Sequence, residues 1–389
     1  MTKDSRMYRL GFETLDSKKV LSIVTILDSG MDINHKDLVD NVWINPYEIV
    51  NDNIDNDNNG YIDDIYGWNF IGNNNNVLDV YGHGTHVSGI VQGVNNSVKI
   101  ITLKMISDSG SGSTSALLGA LDYIHKLKSS GIDIVVANAS WTLGSYGSTV
   151  IKDKITTLNN DNVVFVCAAG NNGTNLDVYP NYPSSFKLSN IISVASITPD
   201  KTLAGSSNYG MNTVSVATYG TLIYSTWPGN RYATLSGTSM AAPFITGKIS
   251  SMTEGSVDTK VFQLLGSVIK TSSLADKVVS GGYVEVNSNF LNHTITPPSY
   301  VPVEATKAAI VRAGLYSISG TVNKNASLKI YVNNRFVGYS KTSYNTVTNS
   351  YSFSGILGRR FFVRGWNVVA VRDPVTGLRL DYKFVKRII

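Results

Sequence analysis

Ser239 lies in the run Ser236-Gly237-Thr238-Ser239-Met240-Ala241-Ala242-Pro243, a hydroxyl among small residues at the start of an apolar helical stretch. Small neighbours let a substrate backbone approach, and a helix N-terminus turns N–H groups and a positive dipole end toward developing negative charge. That suits a nucleophile in acyl transfer. Small residues also mark close helix packing, so the octapeptide alone leaves both readings open. A reacting serine needs a base for its proton and an acid to orient that base. There are five histidines: His35, His83, His86, His125 and His293. His83 stands between Gly82 and Gly84, which leave room for a substrate. His86, three residues on, faces inward along the expected helix and reads as structural. His125, on a helix, and His293, in a linker, read as surface residues. Asp28 closes the hydrophobic run ending Leu27-Asp28-Ser29-Gly30. A lone buried carboxylate there is costly, and the N–H of His83 supplies its partner.

These three residues need rigid elements to bring them together. Residues 1–292 alternate strand-like and helical runs. Val20 to Leu27, Lys99 to Met105, Ile132 to Ala137, Val163 to Ala168 and Ile191 to Val194 read as buried strands. A helix follows His86, and Leu117, Leu121, Ile124 and Leu127 recur at helical spacing. This rhythm predicts an α/β fold, a parallel sheet with helices on both faces and catalytic groups at the carboxyl ends of its strands.

The order Asp28, His83, Ser239 and the segments around them resemble the subtilisin-like serine peptidases over residues 20–250 or so. The resemblance implies that family's three-layer fold, with Asp28, His83 and Ser239 as a catalytic triad. Val166-Cys167-Ala168-Ala169-Gly170-Asn171 is similar to the segment that supplies the oxyanion-hole asparagine, placing that role on Asn171. Thr226 to Tyr232 resembles the hairpin before the nucleophile. A substrate strand is expected between two edges, Ser109-Gly110-Ser111-Gly112 and Asn138-Ala139-Ser140-Trp141, by main-chain pairing. Trp141 departs from the family's small residue and is expected to reshape the specificity pocket. Asp177 borders that pocket, as a selector of basic side chains or as a solvated loop carboxylate.

Asp55-Asn56-Asp57-Asn58-Asn59-Gly60-Tyr61-Ile62-Asp63-Asp64 places oxygen side chains at positions 1, 3 and 5, Gly at 6 and Asp at 9, as a calcium loop does. Asp55, Asp57, Asn59, Tyr61 and Asp63 are the expected ligands of a structural Ca2+, against a solvated Asn/Asp-rich turn. Position 12 is Tyr66, not the usual Glu, so Asp52 or Asp64 would complete the site. Asp37 matches a ligand of a second family calcium site, but Asn95-Asn96-Ser97 runs straight into a strand at Val98, and that site is not expected.

Residues 293–302 contain Pro297, Pro298 and Pro302 and read as a linker. Residues 303–389 then carry 14 Lys/Arg against 3 Asp/Glu, whereas residues 1–302 carry 19 against 25. Short β segments such as Leu328 to Val332, Tyr351 to Ser354 and Trp366 to Val371 predict a small all-β sandwich, resembling bacterial immunoglobulin-like accessory modules. Its charge suits docking on an anionic surface or an acidic protein partner. No specific nucleic-acid motif and no apolar run of membrane-spanning length occur. The first residues lack the apolar core of a signal peptide, so the expectation is a cytoplasmic or particle-associated protein, or the mature form of a secreted one. With 27 residues before Asp28, the family's usual prodomain is not visible, and the expectation is an enzyme already processed, one with a short leader, or one that folds unaided. Cys167, the single cysteine, lies in an apolar strand and reads as a buried thiol.

The expected function is serine endopeptidase action on a protein or peptide. The alternatives are a catalytically silent structural or binding protein of a secreted or viral particle, and a peptide ligase or cyclase using the same acyl-enzyme.

Overall fold

In a computed structural model of the chain, side chains are described for residues 22–252 and 254–286, and strands alone between Ala308 and Arg387. The chain divides into two compact units, Met1–Pro298 and Ser299–Ile389.

The first unit runs β1 (Ile23–Asp28), β2 (Gly67–Asn69), α1 (His83–Val94), β3 (Lys99–Lys104), α2 (Thr114–Ser129), β4 (Ile134–Ala139), α3 (Thr149–Asn160) and β5 (Val164–Ala168). It continues β6 (Ile191–Ile197), β7 (Val216–Tyr219), the hairpin β8 (Ile223–Trp227) and β9 (Arg231–Leu235), α4 (Thr238–Ser250), α5 (Val257–Gly266), β10 (Ile269–Lys270) and β11 (Gly282–Tyr283). Nine strands form one sheet in the order β10-β11-β7-β6-β5-β4-β1-β3-β2, parallel except where β10 meets β11.

The central strands are buried on both faces, which is why they read as unbroken apolar runs. Alternate residues serve different cores: Val164 and Val166 of β5 join α1 and α4, while Phe165 and Cys167 join α2 and α3. The result is three layers. α4 is buried nearly all round, as its Met240-Ala241-Ala242 and Phe244-Ile245 runs require.

Two elements differ from the sequence expectation. α1 begins at His83 itself, because Asp79 accepts from the buried N–H groups of Gly82 and Thr85 at its start, which have no helical acceptor. The helix α3 was not anticipated; only Ile151, Ile155 and Leu158 of it are buried, a narrow stripe among polar residues.

In the second unit, described as backbone, β12 (Ala308–Ala313), β13 (Ser317–Val322), β14 (Lys329–Val332), β15 (Arg335–Tyr339), β16 (Lys341–Asn345), β17 (Ser350–Ile356), β18 (Gly365–Arg372) and β19 (Arg379–Arg387) form two antiparallel four-stranded sheets. Their orders are β12-β13-β17-β16 and β15-β14-β18-β19. The linker 293–302 and His293 lie outside the described residues.

Candidate active site

Strands β5, β4 and β1 are neighbours and parallel, so their carboxyl ends lie side by side. Asp28 ends β1, Ser140 follows β4, and Asn171 lies three residues beyond β5. α1 delivers His83 from its first residue. Gly84 makes this approach possible: a Cβ there would lie 2.2 Å from the Gly30 carbonyl oxygen and 3.1 Å from Asp28 Cβ.

Asp28 is fully buried, and its two carboxylate oxygens lie 2.8 and 3.0 Å from His83 Nδ1. Ser29 N–H donates to Asp28 Oδ1 at 2.7 Å, fixing the carboxylate. Burial alone would lower the pKa of His83, but the charge and hydrogen bond of Asp28, helped by Asp79, leave it raised above the ordinary imidazole value. The Nδ1 proton therefore stays on the Asp28 side, and Nε2 is the basic nitrogen. His86 behaves differently. It is buried, its Nε2 faces the carbonyls of Ile223 and Ala233, and burial pushes its pKa down to about 4.

Ser239 is the second residue of α4, where its N–H has no intrahelical acceptor. Its Oγ donates to the Ser140 carbonyl at 2.9 Å, and Ser140 Oγ donates to the Ser239 carbonyl at 2.9 Å. Among the described residues, His83 Nε2 makes no hydrogen bond. Behind this pair, Thr246 Oγ1 donates to Asn138 Oδ1 and Asn138 Nδ2 to Ser140 Oγ. Asn171 Oδ1 accepts from Thr238 N–H at 2.8 Å and Thr238 Oγ1 at 3.1 Å, which leaves its amide N–H groups for a ligand. The structure thus shows a carboxylate-held base at the end of β1 and, at the start of α4, a hydroxyl with N–H donors beside it, groups of the kind that form and stabilise a tetrahedral oxyanion.

Comparison with known proteins identifies the family. The model of the subtilase family matches residues 21–284. The chain belongs to the subtilase family. "Subtilisin-like protease 1" of Plasmodium berghei (strain Anka) is 31% identical over 312 residues, covering 72% of this chain and 51% of that protein. Thermitase of Thermoactinomyces vulgaris is 31% identical over 234 residues, covering 58% of this chain and 72% of thermitase. The chain thus spans about half the length of the first of these relatives. A cold-adapted subtilisin-like serine proteinase of known structure superposes with a TM-score of 0.54 at 24% identity, over 68% of this chain and 89% of that one.

In this subtilase the expected groove edges are not equally extended. Ser109 and Gly110 sit in a turn closed by Ser107 N–H to the Ser111 carbonyl, and only Gly112 pairs back, with Ile106. Gly110 adopts φ +83°, which favours glycine, and the Tyr81 ring packs where a Cβ would be. Trp141 donates from Nε1 to the Leu27 carbonyl at 2.8 Å and packs on the α2/α3 core. Asp177 is taken up by Asn212 N–H, Asn212 Nδ2 and Thr213 Oγ1, so it staples two loops and does not stand free as a selector of basic side chains.

The Asn/Asp-rich loop gathers Glu48, Asp55 and Asp57, with one oxygen of each within 4.8 Å of the others. Glu48 was missed from the sequence because it precedes the loop. Asp63 is buried, with Oδ1 unpartnered. The Tyr61 ring packs on Trp68, Phe70 and Tyr123, so only its backbone could serve a cation. Asn59 and Asn45 amides and the Tyr123 hydroxyl surround Asp64, whose pKa burial raises to about 6. Asp37 accepts from the Tyr232 hydroxyl.

Proposed function

We propose that the chain is a serine endopeptidase that cleaves peptide bonds through an acyl-enzyme on Ser239. The observation that supports this reading is the Asp28–His83 pair at the carboxyl end of β1, next to β4, whose following residue Ser140 is bonded to Ser239 at the start of α4. The Ser239 hydroxyl turns from the Ser140 carbonyl to His83 Nε2, which takes its proton as Oγ attacks the substrate carbonyl. Asp28 holds the imidazole tautomer and stabilises the imidazolium. The Asn171 amide and Ser239 N–H receive the oxyanion. His83 then passes the proton to the leaving amine, and water, deprotonated by His83, releases the acid. Ser109 to Gly112 and Ser140-Trp141 flank the substrate strand, with Ser111 and Gly112 the extended part of the first edge.

A bound Ca2+ fits the Asn/Asp-rich loop. Three carboxylates share a small space, and the orphaned Asp63 oxygen faces a cost that a cation relieves. Glu48, Asp55 and Asp57 would hold it, with Asn59, Tyr61 and Asp63 alongside. The cation would neutralise mutual repulsion and rigidify the loop. The basic second unit, read as an immunoglobulin-like sandwich, serves docking on an anionic surface or an acidic partner.

The test is covalent labelling by a fluorophosphonate together with intact-mass analysis of peptide products. Labelling lost in Ser239→Ala, with hydrolysed products, supports the reading. Persistent labelling, ligated products or an inert wild type overturns it.

A further inference from the structure

We propose that Asp79 is a positioning residue that locks Asp28 and His83 in register and sets the basicity of His83. The inference rests on the reading of Asp28, His83 and Ser239 as a catalytic triad. Asp79 lies in the segment between β2 and α1, four residues before His83, and its side chain is 6% exposed. Its carboxylate accepts four hydrogen bonds. Oδ1 takes Ser29 Oγ at 2.9 Å and Gly82 N–H at 2.8 Å; Oδ2 takes Thr85 N–H at 2.8 Å and Thr85 Oγ1 at 2.7 Å. These donors bracket the reacting pair. Ser29 adjoins Asp28, while Gly82 and Thr85 stand on either side of His83. Gly84 N–H donates to Ser29 Oγ at 2.9 Å and closes the loop between β1 and α1.

The charge is the informative part. Neutral donors alone satisfy Asp79, and among the described residues no cation pairs with it. A helix start needs only an oxygen acceptor, which Asn or Ser provides without burying a charge. A buried carboxylate so close to an imidazole also favours the imidazolium, the form His83 adopts once it has taken the serine proton. Other charged or titratable groups near His83 among the described residues include Asp28 from β1, the buried His86 from its own helix, Lys104 from β3, whose Nζ donates to the Ser29 carbonyl at 2.5 Å, and Asp32, whose N–H donates to Thr85 Oγ1 at 3.0 Å. Asp28 acts on Nδ1 by direct contact. Asp79 acts from behind, through Ser29 and the first turn of α1.

The experiment follows the rate of fluorophosphonate labelling against pH for the full chain and for Asp79→Asn, Asp79→Ala and Ser239→Ala, with folding checked by circular dichroism. The plateau rate in Asp79→Asn should fall about tenfold or more as register loosens. Its acid limb should move measurably to lower pH as the negative charge is lost. A folded Asp79→Asn whose limb stays in place overturns the proposal, whether or not the plateau falls, because a purely structural cap lowers the rate without moving the limb. If neither Asp79 variant folds, Ser29→Ala carries the test. It keeps the charge and cuts the link to β1, so the plateau should fall with the limb fixed, and an unchanged plateau overturns the proposal. Persistent labelling of Ser239→Ala overturns the triad reading and this inference with it.

Discussion

Ser140 and Ser239 hold each other through two reciprocal hydrogen bonds, each hydroxyl donating to the other residue's carbonyl at 2.9 Å. Pro243 explains one of them. It stands four residues after Ser239 inside α4 and has no N–H, so the Ser239 carbonyl loses its helical donor, and Ser140 Oγ takes that place. Ser140→Ala leaves this carbonyl and Asn138 Nδ2 unpaired in a buried setting, at a cost of about 1–3 kcal/mol. Urea titration should show a lower midpoint and labelling should slow. An unchanged midpoint refutes the account.

Asn171→Ala removes the acceptor that steadies Thr238 and, on the proposed mechanism, an oxyanion donor. Turnover should fall about 10²–10³-fold, the range established for a single such donor in serine peptidases, with KM nearly constant. A fall confined to KM in steady-state peptide cleavage would place Asn171 outside the oxyanion site.

Two histidines impose opposite pH dependences. His83 is raised above 6.5, so activity should climb with pH through a midpoint above that value as Nε2 becomes free. Its contribution to stability is full below 6.5 and disappears as pH rises through the raised value. His86 is lowered from 6.5 to about 4 and stays neutral when folded. Its contribution is present above 6.5 and is lost as pH falls through about 4, a difference of roughly 3 kcal/mol. Urea midpoints measured from pH 7 to 4 should fall, and His86→Gln should flatten that fall. A slope identical to wild type contradicts this assignment.

Calcium at a hundred times its dissociation constant should stabilise the fold by about 2.7 kcal/mol, and a chelator should remove that increment. Glu48→Gln and Asp55→Asn should each abolish most of it, because the three carboxylate oxygens converge. Calorimetry with and without calcium decides the matter; a melting temperature indifferent to both calcium and chelator rules the site out.

The pairing of Asp28 with His83 was legible because each sits in a short segment whose local chemistry is distinctive. The parallel sheet was legible from apolar runs buried on both faces. What escaped was tertiary. Asp79 looks like any loop carboxylate until Ser29, Gly82 and Thr85 converge on it. Glu48 stands seven residues before Asp55, outside any linear loop pattern. The start of α1 was set too late because Gly82 and Gly84 weaken helix propensity, and the capping carboxylate that offsets them lies outside the helix. Ser109 and Gly110 read as an extended edge, but the Tyr81 ring and the positive φ of Gly110 fold them into a turn.

The order in which the chain supplies its parts has a bearing on its synthesis. Asp28 and His83 lie in its first third, whereas Ser239 arrives on a helix enclosed by α1, β4, β5, β6 and β7. A ribosome-bound chain that stops short of α4 lacks Ser239, whatever Asp28 and His83 have formed. On the acyl-enzyme proposal, cleavage therefore awaits the helix that carries Ser239, late in the order of synthesis.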